Sequence, residues 1–223
     1  MNPVVLKLVT KELHLYRGFI TLVTAAGLAS LLVAATGGEA MFQIGFLVWL
    51  TAVIALGVML ALFGVATERK ERALLFVLSL PIAPADYVLA KLLGLLLCFL
   101  LPWALLSGGA LALVAVSPGL ADGLLPYGVL LCVYLLANYA LVLSATLHIK
   151  SEVGMAGVIV LTNMSVSLFM MGVPRIPGIG QHMAAAAPVW NGAFWQVLTA
   201  ELAVILLALS LPLFIAARRR DFL

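Results

Sequence analysis

Glu201 is the one acidic residue that lies clearly inside an apolar run of this chain. Burying a carboxylate within a membrane costs several kcal/mol unless it is paired or hydrated, so such residues often line transport routes. The alternative is that Glu201 reaches the outer interface or pairs with Arg175. Asn138 and Asn163 lie in two other apolar runs, where they either line a route or form hydrogen bonds between helices. Asn138, Asn163 and Glu201 are therefore candidate pathway residues.

The remaining polar residues form no recognisable catalytic or metal-binding group. Ser144 and Thr146 precede His148, but no orienting carboxylate and no glycine-framed serine accompany them. We expect these hydroxyls to bond the helix backbone. His14 and His182 stand alone, whereas a metal site needs three or four ligands. No glycine-rich phosphate loop ending in Gly-Lys-Ser/Thr occurs, so we expect no ATP hydrolysis, metal or cofactor on this chain.

The composition indicates that lipid, not water, is the main solvent of this chain. Hydrophobic residues make up 65% of its 223 residues and charged residues only 9%. Mean hydropathy is +1.24, which excludes an ordinary soluble domain. The basic residues behind the net charge of +3 sit in short clusters beside apolar runs, as membrane topology requires. We therefore expect no nucleic-acid partner, and the length leaves no room for a nucleotide-binding domain.

The apolar residues fall into six runs, each long enough to cross a bilayer as a helix. Runs of this length satisfy their backbone hydrogen bonds as α-helices and not as barrel strands. The sequence therefore predicts an all-α integral membrane protein with a single transmembrane domain over residues 1–223. The predicted spans are 18–36, 41–66, 89–116, 125–147, 153–173 and 193–217.

The distribution of basic residues predicts the orientation of the spans. Of the 12 Lys and Arg residues, all except Arg175 fall before the first span, in or beside the second and fourth loops, or after the last span. Cytoplasmic segments carry the excess of Lys and Arg, so both termini are predicted to lie in the cytoplasm.

Two segments outside the spans have features of their own. Residues 1–17 place Lys7, Lys11 and His14 on one helical face, which predicts an amphipathic helix in the cytoplasmic interface. The alternative is a frayed basic leader that only sets the topology. The outer loop, 174–192, holds a short apolar segment broken by proline and glycine. It either dips back into the membrane as a re-entrant segment or forms a surface loop.

The cytoplasmic loop over 67–88 carries five consecutive charges, Glu68 to Arg72, ahead of an apolar-faced stretch that prolines interrupt. Such a segment can lie against the bilayer and present its charges to a soluble partner. A solvated charge run is the alternative, but the bias toward basic cytoplasmic loops does not explain Glu68 and Glu71. The candidate docking residues are Glu68, Arg69, Glu71, Arg72, Leu75, Leu78 and Pro81.

This loop resembles the coupling-helix loop of ATP-binding-cassette (ABC) transporter permeases of the ABC-2 exporter type. The matching positions are Glu68, Arg69, Leu74, Leu78, Ser79, Leu80, Pro81, Tyr87 and Lys91, and the ending Arg219, Arg220, Asp221, Phe222 is also similar. The chain departs from the family where Arg72 and Ala73 replace a frequent Gly-Thr pair.

The resemblance implies a dimer of six-helix subunits, homomeric or formed with a sister permease, each seated on a separate ATPase that carries ATP and Mg. The coupling helix and the leader helix would contact that ATPase, and substrate would move through the dimer seam. The Ala- and Leu-rich composition fits a bacterial inner membrane. Two alternatives remain at this stage, a non-transporting membrane scaffold and an ion-coupled secondary carrier.

Overall fold

Six long helices account for most of the chain. The computed structural model describes residues 3–36, 38–67, 84–117, 119–149 and 151–218, and it contains no strand within those ranges. Every one of the six helices is long and apolar enough to cross a membrane, so the predicted all-α class and number of spans are confirmed. The helices are α1 (Pro3–Thr36), α2 (Glu39–Ala61), α3 (Pro84–Val116), α4 (Leu124–His148), α5 (Glu152–Gly172) and α6 (Gly192–Arg218).

Contacts between named residues give the directions of the helices. Tyr139 of α4 donates a hydrogen bond to the Leu95 carbonyl of α3 at 2.8 Å, and Trp103 donates one to the Cys132 carbonyl at 2.9 Å, so α3 and α4 are antiparallel. The two helices α4 and α6 run in the same direction, because Leu130 clusters with Phe194 and, further along both helices, Ala140 clusters with Ala208. Helix α1 runs parallel to α3, since Gly27 faces Leu106 and Gly94 faces Val9. The starts of α1 and α3 and the ends of α4 and α6 therefore share one end of the bundle, which we call the basic end.

The leader segment is not a separate helix. Residues 3–36 form one unbroken helix of 34 residues, where the sequence predicted an interface helix over 1–17 followed by a span. At 1.5 Å per residue α1 is about 50 Å long, roughly 20 Å more than the hydrocarbon layer. Lys7, Lys11 and His14 are exposed on one face as predicted. Nothing between Pro3 and Gly18 breaks the helix, so the two segments continue as one.

The third helix begins earlier than predicted. Its first residue is Pro84, whereas the apolar pattern placed the start of the span at residue 89. Proline suits the first helical position, because its missing N–H would be unpaired there in any case. The predicted loop over 67–88 is shortened accordingly, since 84–88 form the first turn of α3.

The core lies where α2, α3 and α4 meet. Trp49 of α2 is buried and donates its indole N–H to the Leu106 carbonyl of α3 at 3.0 Å. The rings of Phe99 and Tyr139 stack with their centroids 4.0 Å apart. Buried indole and phenol groups need hydrogen-bond partners, and these backbone carbonyls supply them. The aromatic residues thus fix the register of the three central helices.

A glycine sets the spacing between α1 and α2. A Cβ built on Gly45 would lie 2.6 Å from Ala34 Cβ and 2.8 Å from the Ala34 backbone nitrogen. We expect Gly45→Ala to lower the free energy of unfolding by about 1–3 kcal/mol, because the two helices must move apart. Thermal unfolding in detergent measures the effect. Gly18→Ala is the matched control on α1, since no atom lies within 4 Å of its Cβ. Equal stability of the two variants would contradict the close contact.

The segment between α5 and α6 folds back onto the opposite end of the bundle. It forms a 3-10 turn (Val173–Arg175) and a helical turn (Pro177–Gly180). Ile179 is buried in a cluster that includes Leu130 of α4. Gly123 donates a backbone hydrogen bond to Ala185 at 2.9 Å. The predicted outer loop, 174–192, is therefore packed against helix ends, and its re-entrant position in the membrane stays a prediction.

Candidate functional site

A buried ion pair joins α1 to α3 at the basic end. Lys91 Nζ lies 2.8 Å from Glu12 Oε1, and the two residues are only 4% and 2% exposed. Exposed Lys11 lies 3.8 Å from the same Glu12 oxygen. The second carboxylate oxygen, Glu12 Oε2, has no hydrogen-bond partner among the described residues. The pair therefore places two charged groups in a closely packed region, near the point where the predicted docking loop joins α3.

The helices around this pair are closely packed. A Cβ on Gly94 would meet Glu12 Cγ at 3.0 Å and Val9 Cα at 3.5 Å, so α1 and α3 are in close contact. The last part of α2 widens into a π-helical turn, Leu62–Thr67, directly before the loop. There Gly64 faces Leu95 of α3, and an added Cβ would lie 2.5 Å from Leu95 Cδ2. Three helix segments thus converge where the chain enters and leaves the loop.

The sequence does not predict this ion pair. Lys91 enters the predictions through the count of basic residues and the family resemblance, and Glu12 does not enter them. A signal was nevertheless present, because Val5, Val9, Glu12 and Tyr16 follow helical spacing and share the buried face of α1. An acid on an otherwise apolar helical face indicates a buried partner.

The predicted docking residues themselves lie outside the described part of the chain. These are Glu68, Arg69, Glu71, Arg72, Leu75, Leu78 and Pro81. Of the matching positions in the resemblance, Tyr87 and Lys91 are described, and both belong to the first turns of α3. The docking role of the loop stays a prediction.

Two of the three candidate pathway residues lie at the contact between α4 and α5. Asn138 donates a hydrogen bond to the Thr162 carbonyl at 2.8 Å, so it bonds helix to helix, one of the two alternatives considered for it. The neighbouring residue, Asn163, has a buried Oδ1 without a hydrogen-bond partner in the described ranges. Nearby, Tyr134 donates to Ser165 Oγ at 2.7 Å. The contact between α4 and α5 is therefore polar, although most of the bundle is apolar.

Glu201 lies on α6 and does not belong to this contact between α4 and α5. It is 6% exposed, and neither carboxylate oxygen has a hydrogen-bond partner within the described residues. Arg175 is exposed and forms no ion pair with it. The alternative that Glu201 pairs with Arg175 is therefore wrong for this structure. One turn further along, Ile205 packs against Ala137 and Ala140 of α4.

Of the two hydroxyls near the end of α4, that of Thr146 bonds to the helix backbone, as expected. Thr146 Oγ1 donates to the Leu143 carbonyl at 2.9 Å, and His148 Nδ1 lies 2.9 Å from the Ser144 carbonyl. Each contact stays within one helical turn. The three side chains form no relay from nucleophile to base.

Two of the recesses in the described part of the bundle are large. A groove of about 810 Å³ opens between α4, α5 and α6 toward the basic end, and its lining is mostly apolar. Leu141, Ser144 and His148 lie on its α4 floor. The second recess, an apolar cavity of about 240 Å³ at the opposite end, is lined by aromatic residues that include Phe46 and Trp49.

No protein-family model matches this chain, and no curated protein matches it either. Its function therefore has to be inferred from the residues and the geometry described above.

Proposed function

We propose that this chain is the transmembrane permease subunit of an ATP-driven ABC exporter in a bacterial inner membrane. The ATPase is a separate protein that binds ATP and Mg, and it docks on the loop between α2 and α3. A second permease, either another copy or a sister chain, completes the pathway. The observation that carries the proposal is the buried Glu12–Lys91 pair.

The pair supports the proposal because it connects the two segments that an ATPase would contact. Glu12 lies on the part of α1 that extends about 20 Å past the length of one span, at the basic end. Lys91 lies two turns after the start of α3, where the loop ends. A displacement of the loop would therefore move both helices together. A scaffold has no need of an ATPase-docking loop.

Most of α5 is exposed on the surface of the bundle, and this exposure supports the partner permease. Within α5 only Met155 and Val166 are buried, while residues on several faces, including Val160, Leu161 and Leu168, are exposed. Lipid can solvate such a helix, yet its exposed positions also include the small residues Ala156 and Gly157. Polar groups and small residues along a transmembrane helix favour association with another helix. The dimer seam is therefore placed at α5 in this proposal.

Copurification from native membranes tests the docking proposal. We expect an ABC-type ATPase to copurify with the wild-type chain and to be lost when Glu68→Arg is combined with Glu71→Arg. Reversing both charges opposes the partner's surface, and like-charge contacts across an interface cost several kcal/mol. The readouts are ATPase activity and the identity of the bound protein by mass spectrometry. Because cytoplasmic loops are rich in Lys and Arg, the added positive charge should not change the predicted orientation of the spans.

Glu152→Arg is the matched control, since Glu152 is an exposed acid at the basic end outside the loop. This variant should keep the ATPase bound. Loss of binding in both variants would indicate a general electrostatic effect, and the docking surface would then be wrong. If no ATPase copurifies with the wild type, the scaffold or carrier replaces the exporter.

A further inference from the structure

The groove between α4, α5 and α6 ends at a cation. Phe214 lines the groove, and the Arg218 guanidinium lies 4.0 Å from the centre of its ring. Arg218 is exposed and forms no ion pair with any residue that the structure describes. His148 also lines the groove near this end. The sequence continues with Arg219 and Arg220. The apolar groove therefore ends at a positively charged opening.

The walls of the groove stand apart. The helices α5 and α6 both pack on α4 but make little contact with each other. Val158 and Thr162 form one wall, and Leu207 and Leu211 belong to the other. Each wall is apolar apart from isolated hydroxyls. A flexible hydrocarbon chain fits such a surface without leaving a polar group unpaired.

The length of the groove corresponds to one leaflet of a bilayer. Its α6 wall runs from Val204 to Ile215, which is about 16 Å at 1.5 Å per residue. The hydrocarbon layer is about 30 Å thick, so the groove covers about half of it. The half that it covers is the one at the basic end. The occupant would therefore come from the leaflet on that side.

We propose that this groove binds a phospholipid with an anionic headgroup from the leaflet at the basic end. Its acyl chain lies along Leu207 and Leu211, and its phosphate meets Arg218. Charge complementarity selects this occupant, because basic pockets between transmembrane helices bind anionic headgroups on the cytoplasmic side. A zwitterionic lipid lacks the net charge that Arg218 attracts. The proposal stands whether or not the chain is an exporter subunit.

Photo-crosslinking in nanodiscs tests the site. The probe is phosphatidylglycerol with a diazirine in its acyl chain, and the cross-linked residues are mapped by mass spectrometry. We expect cross-links to concentrate on the groove residues of α4, α5 and α6. Unlabelled phosphatidylglycerol should displace the probe about fivefold better than phosphatidylcholine, as one arginine contact predicts. Arg218→Gln should remove this preference.

Filling the groove should prevent binding. Ala145 lies on the α4 floor, and Ala145→Phe places a ring in the groove. Ser210→Phe fills it from α6 and serves if the first variant does not fold. Ala104→Phe is the matched control on an exposed position of α3 and should keep the cross-links in the groove. Cross-links spread evenly over all exposed helices, or equal competition by phosphatidylcholine, would overturn the proposal. Covalent links from the groove to a second copy of the chain would show a subunit interface instead.

Discussion

Replacing Lys91 with methionine is expected to lower the free energy of unfolding by about 3–5 kcal/mol, because the Glu12 carboxylate then stays buried without its partner. Glu12 is 2% exposed, so water does not easily replace the lost ammonium group. The measurement is reversible unfolding in mixed micelles. Lys11→Met is the matched control. Lys11 is half exposed and 3.8 Å from the same carboxylate, and its removal should cost less than about 1 kcal/mol.

The double variant Glu12→Met with Lys91→Met separates charge from packing. Apolar residues of similar size often replace a buried ion pair with little loss of stability. We therefore expect the double variant to recover most of the stability that Lys91→Met loses. A double variant as unstable as Lys91→Met would show that the other contacts of Lys91 outweigh the ion pair. Unchanged stability of Lys91→Met itself would contradict a charged, buried Glu12.

The same double variant also tests the function proposed for the pair. If the pair transmits motion between the loop and the helices, a stable double variant should still bind the ATPase. It should lose the coupling between substrate and ATP hydrolysis. Full retention of that coupling would mean that the pair only holds α1 against α3. The stability measurement stays informative even if no ATPase is found.

The six spans could be predicted from the sequence because length and apolarity are local properties. A run such as 125–147 has to be a helix in lipid, and the structure places α4 at Leu124–His148. The errors lie at helix starts. The predicted loop over 67–88 includes Pro84, although proline suits a first helical position. The sequence predicts an interface helix over 1–17 apart from the first span, whereas the structure has one continuous helix, Pro3–Thr36.

The candidate site was less predictable because its members are distant in sequence. Glu12 and Lys91 are 79 positions apart, and nothing in the local pattern of either residue names the other. Asn138 could be placed in a span, but its bond to Thr162 depends on the register of α4 against α5. Such registers follow from side-chain packing, for example the stacked rings of Tyr134 and Phe169. The sequence alone does not encode that packing in any short motif.

Replacing Glu201 with methionine is expected to raise the free energy of unfolding by about 1–3 kcal/mol, since a buried group without a hydrogen bond is removed. Methionine has a similar length and fills the same space. Gln196→Met is the matched control on α6, because Gln196 is exposed, and its effect should stay within about 0.5 kcal/mol. Unfolding in mixed micelles measures both variants.

A stability cost retained by a protein indicates a use for the residue that bears it. If Glu201→Met is more stable and the copurified complex loses ATP-dependent transport, Glu201 is a pathway residue, as the sequence suggested. If transport is intact, a role in proton coupling fails, and the ion-coupled carrier fails with it. A loss of stability in Glu201→Met would instead show that the carboxylate has a partner in the membrane. Glu201→Gln distinguishes a hydrogen-bonding role from a proton-carrying role, because the amide keeps hydrogen bonding but cannot carry a proton.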